Sequence, residues 1–280
     1  MTSGSVPPSH RRGNITSLDE QAGKPAMLPL YVTDRHDCSY LPGLSARTLF
    51  VDPSVPMDGA TYQALLAQGF RRSGTHIYRP ACSFCRRCIP LRIPVHAFVP
   101  NRSQRRNRTR NRNQVVLRDR PACFDPEHYV LYRSYIQSRH GDTDSSDAAL
   151  VRYREFLVAP WGGETRFLEL YLDTRLMAVA VTDYLPGCLS AVYTFFDPGR
   201  SDRAPGTYAV LCQIEEARRL GLEYLYLGYW VGECPKMSYK EHFRPLEAWL
   251  DERWQWYGRG AEISGTGRAS AAPHTVQSNR

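Results

Sequence analysis

An α+β fold is predicted: a small cysteine-rich, arginine-rich unit over residues 28–122, then a larger mixed domain over 123–258. Three observations predict it. The run Cys82-Ser-Phe-Cys85-Arg-Arg-Cys88 sits between two short strand patterns, which makes the first unit a metal-binding one. From residue 127 onward, helix and strand patterns succeed one another with turn residues between them. Residues 1–27 and 259–280, polar and poor in apolar side chains, are expected to be disordered tails.

The elements follow in order. Asp58 is placed to cap a helix that Gly69 ends. Residues 75–79 and 89–98 read as strands, the second alternating Leu91, Ile93 and Val95 with Arg92 and His96. The cysteine knuckle therefore joins two strands. Ser103 is placed to cap a basic helix to residue 112, and 114–118 returns to strand. Residues 127–140 carry Tyr129, Leu131, Tyr132, Tyr135 and Ile136 at helical spacing and stop at Gly141, after which Asp147 is placed to cap a helix to 158. Three strands come next, 166–172, 176–184 and 189–195, then a helix 207–220 and a strand 223–229.

Helix, helix, three strands, helix, strand is the element order of the GNAT acyltransferase fold, so the second domain is expected to be GNAT-like. The turn before the long helix is Gly199-Arg-Ser-Asp-Arg-Ala-Pro-Gly206. It lacks the glycine pattern that cradles a pyrophosphate, so no coenzyme A is expected.

Charge is as uneven as pattern. Between Gly59 and Arg118 there are thirteen arginines and no Asp or Glu, so a chain of net charge +8 carries −5 elsewhere. A localised positive field suits a polyanion bound at one place, which points to nucleic acid. No run approaches the ~20 apolar residues of a membrane helix and the first ten residues have no apolar signal core, so no membrane partner and a cytoplasmic location are expected. Of the eight cysteines, three at two-residue gaps fit a metal better than disulfides, and Cys123, Cys188, Cys212 and Cys234 read as small buried side chains. Only three lysines occur, two of them in Lys236-Met-Ser-Tyr-Lys240, which suggests a need for compact ammonium groups.

Several segments together resemble the aminoacyl-tRNA protein transferases of the N-degron pathway, in their short bacterial form. They are Cys38-Ser-Tyr-Leu-Pro, Gly69-Phe-Arg-Arg-Ser-Gly74, Tyr78-Arg-Pro-Ala-Cys82 with the knuckle, and Arg102-Ser-Gln-Arg-Arg106. Ser190-Ala-Val-Tyr-Thr-Phe-Phe-Asp-Pro198, Leu227-Gly-Tyr-Trp230 and Lys236-Met-Ser-Tyr-Lys240 continue the series, in order, over about residues 28–257. The resemblance implies transfer of leucine from leucyl-tRNA to proteins beginning with Asp or Glu. Three departures stand out: the turn Leu172-Asp-Thr-Arg175 lacks an expected glycine, the segment Gly141-Asp-Thr-Asp-Ser-Ser146 replaces a more glycine-rich loop, and Phe196 replaces a usual tyrosine.

Such a reaction joins an ester to an α-amine of pKa roughly 7.7 to 8.0, so little base strength is needed and positioning dominates. Asp197 is the candidate to hold or deprotonate the amine, with Tyr193 and Tyr208 as hydrogen-bonding partners. Lys236, Lys240, Arg71 and Arg72 are the cations available for the acceptor's carboxylate, with Lys240 and one arginine preferred. Tyr229 and Trp230 are candidates to line the leucine or terminal-adenine pocket. Arg102, Arg105 and Arg106 are candidates for tRNA phosphates. Zinc or an iron–sulfur cluster would take Cys82, Cys85, Cys88 and, as fourth ligand, Cys38, outside the chemistry itself. An arginine donor, a metal-stapled RNA-binding module without transfer activity, and a GNAT acetyltransferase stand as alternatives.

Overall fold

The structure, a computed structural model, describes residues 12–16, 27–141 and 146–263. Its first elements are β1 (Arg12–Thr16), β2 (Met27–Val32), the two-residue pair β3 (His36–Asp37) and β4 (Ser45–Ala46), and β5 (Thr48–Val51). Helix α1 (Gly59–Ala67) and the hairpin β6 (Arg71–Ser73) and β7 (His76–Pro80) follow. The five longer segments form one sheet in the order β1-β2-β5-β7-β6. Strand β1 lies inside the expected N-terminal tail and pairs antiparallel with β2. The rest of that segment, and residues 264–280, lie outside the described residues. The Asp58 carboxylate accepts from Thr61 N at 2.7 Å, so it caps α1 as its residue type predicts.

The remaining strands and helices are β8 (Ile89–Pro94), α2 (Arg102–Asn111), β9 (Val115–Pro121), α3 (Pro126–His140) and α4 (Ser146–Tyr153). A π-helical turn, Arg154–Val158, extends α4. Then come β10 (Glu164–Leu172), β11 (Arg175–Leu185), β12 (Cys188–Phe196), a 3₁₀ turn Pro198–Arg203, α5 (Pro205–Arg219) and β13 (Tyr224–Trp230). The chain closes with α6 (Pro235–Ser238), a 3₁₀ turn Tyr239–His242, and the hairpin β14 (Leu246–Leu250) and β15 (Arg253–Tyr257). One eight-stranded sheet takes them in the order β15-β14-β8-β13-β12-β11-β10-β9. It is a mixed α/β arrangement, with the expected order of helix, helix, three strands, helix and strand.

Local chemistry places several boundaries differently from the sequence reading. Helix α2 starts at Asn101, whose side chain accepts from Gln104 N while Gln104 Oε1 accepts from Asn101 N. This reciprocal capping box outcompetes a cap at Ser103. Helix α4 begins at Ser146, so Asp147 lies in its first turn. The β14–β15 hairpin escaped the sequence reading because its turn residues are Asp251 and Glu252, both at positive φ, where Asn-Gly would have signalled it. In the β10–β11 turn Asp173 adopts φ 57, supplying the left-handed position where a glycine was expected.

Alternation along β10 to β12 sends side chains to two helical layers. Phe167, Val179, Val181 and Phe195 pack against Tyr132, Tyr135 and Tyr153 of α3 and α4. Leu168, Leu170, Ala178 and Ala180 pack with Tyr208 and Ala209 of α5. Strands β12 and β13 are parallel and pair only at Cys188↔Tyr224, Leu189↔Leu225 and Ser190↔Tyr226. Beyond Ser190 they part.

Candidate active site

The parted strands are wedged by an arginine. Arg71, at the start of β6 and 6% exposed, donates from Nη1 to Ser190 Oγ at 3.1 Å and from Nη2 to Ala191 O at 2.5 Å. Opposite it, β13 shifts register between Tyr226 and Gly228, and Gly228 takes φ +78. A Cβ at Gly228 would lie 2.9 Å from Arg71 Nε, so only glycine lets the strand pass the guanidinium.

Lys240 stands beside it, in the 3₁₀ turn after α6. Its side chain is buried, and Nζ donates to Tyr229 O at 2.7 Å. Burial first, and then the Arg71 charge, bring its pKa down to about 7, with Cys234 opposing weakly. Among the described residues neither Arg71 nor Lys240 forms an ion pair. Two neighbouring buried cations without a counter-charge make an anion site.

Tyrosines surround the pair. Tyr40 and Tyr78 lie within electrostatic reach of each other, both phenols are pushed up by burial, and the Arg71 charge pulls back on each. Tyr239, 41% exposed, lies within electrostatic reach of Tyr135 and Arg139 of α3 and of Arg71. Tyr193, two residues beyond Ala191, packs on Phe156 and Tyr135 at centroid distances of 5.2 and 6.2 Å. These rings form an apolar wall next to the cations.

Other residues singled out in the sequence are placed elsewhere. Arg72 binds Asp183 through Nε at 2.9 Å and Nη2 at 2.6 Å, gives Nη1 to Gly74 O, and lies over the Trp161 ring. Its guanidinium is a buried strut, and the acceptor-binding candidate of the pair is Arg71. Lys236 is exposed on α6. Asp197 Oδ1 accepts from Gly199 N at 2.8 Å and shapes the turn that follows β12. Six residues of extended chain, roughly 20 Å, separate it from Ala191, so β12 does not bring it beside Arg71. Tyr208, on α5, packs on the other face of the sheet from Tyr193. Tyr229 gives its hydroxyl to Gly69 O at 2.8 Å, tying β13 to the N-terminal unit. Trp230 is partly buried against a different cluster, the one that includes Phe243 and Leu246.

The cysteines form a wall behind the cations. Cys38 and Cys88 pack with Tyr40 against Leu41, Val231 and Cys234. Burial and then Cys85, Cys38, Cys82 and Cys234 raise the Cys88 thiol to about 12. This gathering of thiols suits a thiophilic metal by donor type, but no group of three or more His, Cys, Asp or Glu is arranged to hold a metal ion among the described residues. Cys123, expected to be buried, is exposed.

Helix α2 carries no apolar residue and docks through amides. Gln104 Nε2 donates to His242 O at 3.1 Å, and Asn107 and Asn111 donate to Arg203 O at 2.8 and 3.0 Å. The turn before α5 thus has its carbonyls engaged by α2. Arg102, Arg105 and Arg106 face solvent on the opposite side.

Comparison with known proteins identifies this arrangement. Residues 36–106 match the description "Arginine-tRNA-protein transferase, N terminus" and 127–250 the corresponding C terminus. The chain is 51% identical over 231 residues to the aspartate/glutamate leucyltransferases of Pseudomonas paraeruginosa and Stutzerimonas stutzeri, covering 82% of this chain and 97% of each relative. The chain belongs to the aspartate/glutamate leucyltransferase family. A solved structure of FemX covers 84% of each chain at 9% identity, with a TM-score of 0.45. Among the described residues no helix is long and apolar enough to cross a membrane.

Within this family member, Tyr40, Tyr78 and Gly228 lie around Arg71 in the candidate site, and sequence reasoning passed over them. All three lie inside the segments that carried the resemblance, and nothing local separates them from core residues. Gly228→Ala is expected to strain the left-handed position by roughly 1–2 kcal/mol and to displace Arg71. Transfer to an Asp-peptide should fall at least tenfold while the melting temperature drops by only a few degrees. Activity within twofold of the parent would show that the wedge is not needed.

Proposed function

We propose that this chain transfers leucine from leucyl-tRNA to the α-amine of proteins beginning with Asp or Glu, marking them in the cytoplasm for N-degron degradation. The observation that carries the acceptor assignment is the buried, unpaired Arg71–Lys240 pair. An acidic first side chain supplies the missing counter-charge, and a neutral or basic one leaves two buried cations uncompensated. With that carboxylate fixed, the adjacent α-amine is held in one place. Its nitrogen attacks the ester carbonyl, a C–N bond forms, the C–O bond to the ribose breaks, and the proton lost by the amine ends on the ribose oxygen. The wall of Tyr135, Phe156, Tyr193 and Tyr239 provides an apolar slot for the leucine side chain. The exposed arginines of α2 take tRNA phosphates. The GNAT-like reading is kept for the acyl-transfer domain, with tRNA in place of coenzyme A. Zinc or an iron–sulfur cluster on Cys38, Cys82, Cys85 and Cys88 would brace the wall behind Tyr40, and no step depends on it.

The test mixes the protein with labelled leucyl-tRNA and peptides beginning with Asp, Glu, Arg or Ala, with arginyl-tRNA in parallel. Label is expected from leucyl-tRNA on the two acidic peptides alone. Label on none, or equally on Ala, overturns the proposal, and label from arginyl-tRNA alone moves it to the arginine donor that the matching family description names.

A further inference from the structure

Arg71 and Lys240 carry the same charge, yet only one of them can release it. A guanidinium keeps its proton throughout the range a folded protein tolerates, whereas a buried ammonium gives one up readily. The Lys240 side chain is buried, and Nζ makes one hydrogen bond among the described residues, to Tyr229 O at 2.7 Å, with no ion pair. The groups whose charge it senses are Arg71 from β6, which disfavours the ammonium, and Cys234 from the turn before α6, which opposes weakly. Tyr40 and Tyr78, which also sense Arg71, are phenols that burial keeps neutral. Two repelling cations in one desolvated place are relieved when Lys240 loses its proton. Above pH 7 the empty site therefore holds mainly a neutral amine with a free lone pair, in line with the low pKa of this group.

The acceptor brings the complementary problem. Its side-chain carboxylate needs a cation, while its α-amine, of pKa roughly 7.7 to 8.0, enters largely as an ammonium and cannot attack an ester until a proton leaves. Both groups belong to the first residue, so a side chain that grips the carboxylate is within reach of the ammonium. We infer that Lys240 accepts the proton of the acceptor's α-ammonium as the carboxylate binds, so that one transfer frees the nucleophile and completes the counter-charge. An N–H bond of the ammonium breaks, an Nζ–H bond forms, and the net charge is unchanged. The amine then attacks as described above, its next proton passing to the ribose oxygen, and Lys240 returns its proton to water when the product leaves. An acceptor with a neutral side chain offers no charge to hold a proton on Lys240, so its amine stays protonated. Choice of an acidic acceptor and activation of its nucleophile become one event. The inference rests on the reading of Arg71 and Lys240 as the acceptor site.

The experiment is calorimetry of the full chain at pH 7.5 in buffers of different ionisation heat, which counts the protons exchanged on binding. One ligand is an Asp-peptide, and the other is the same peptide with succinyl in place of Asp, which keeps the carboxylate and lacks the amine. The succinyl peptide should take about 0.7 of a proton from the buffer as Lys240 is charged. The Asp-peptide brings that proton itself, so its net exchange should lie within about 0.2 of zero. Lys240→Arg keeps a cation that cannot accept a proton. It should bind the succinyl peptide without uptake and lose roughly 10²-fold in kcat for leucine transfer, with KM for the Asp-peptide within a few-fold of the parent. Equal uptake with both peptides, no uptake with the succinyl peptide, binding of the Asp-peptide alone, or an undiminished kcat in Lys240→Arg overturns the inference and leaves the acceptor site standing. Binding of neither peptide, or equal binding of an Ala-peptide, strikes the acceptor reading itself.

Discussion

Replacing Lys240 by methionine is expected to stabilise the fold and abolish recognition of acidic acceptors. In the free protein the ammonium is buried beside Arg71, which brings its pKa from 10.5 to about 7. Such a shift corresponds to a stability cost on the order of 5 kcal/mol when the lysine is charged. The variant removes that cost but leaves Tyr229 O without its donor, a loss of about 1–3 kcal/mol. A net gain of about 2 kcal/mol near pH 6 should raise the melting temperature by roughly 5 °C.

The pH dependence fixes the sign. Between about pH 7 and 10.5 the unfolded lysine holds a proton that the folded one has released, so this group's contribution to stability rises with pH across that window. The variant's advantage should therefore shrink as pH climbs above 7, vanish at about pH 8.5 and be reversed at pH 10. In catalysis the same change removes one of two partners of a desolvated carboxylate, so kcat/KM for Asp- and Glu-peptides should fall by roughly 10²-fold or more. Retained kcat/KM, or a lower melting temperature at pH 6, would show that Lys240 is a structural strut.

Adjacent arginines should separate just as sharply. Arg72→Met leaves the Asp183 carboxylate buried with its bidentate partner gone, which costs on the order of 3–5 kcal/mol. Arg71→Met removes a guanidinium whose hydrogen bonds go to Ser190 Oγ and Ala191 O, and among the described residues it leaves no buried carboxylate unpaired. Thermal melting and peptide transfer, measured on both, should give opposite profiles. Arg72→Met should melt at least 8 °C lower yet keep kcat/KM within about threefold when assayed cold. Arg71→Met should melt within a few degrees of the parent and lose at least 10²-fold in kcat/KM. Similar losses in both assays for the two variants would refute the division of labour.

The sequence by itself determined the order of elements from α3 to β13, because its helices carry their own periodicity and stop signals: Gly141 at φ 64 ends α3, and Gly221 at φ 70 follows α5. It also determined the family, through ordered segments that need no folding to be recognised, and the arginine face of α2, since a helix of ten residues without an apolar side chain must expose most of them. What it left open were choices between identical residue types. Arg71 and Arg72 are neighbours in one short strand, so their side chains point to opposite faces, one to the parted strands and one to Asp183. Lys236 and Lys240 belong to one segment, yet only Lys240 is buried. Asp197 had the right chemistry in the right segment, but an extended strand carries it far from the cations. Which of the two arginines faces the parted strands is decided by partners more than 100 residues away, Ser190 and Asp183, and only the tertiary structure supplies those partners.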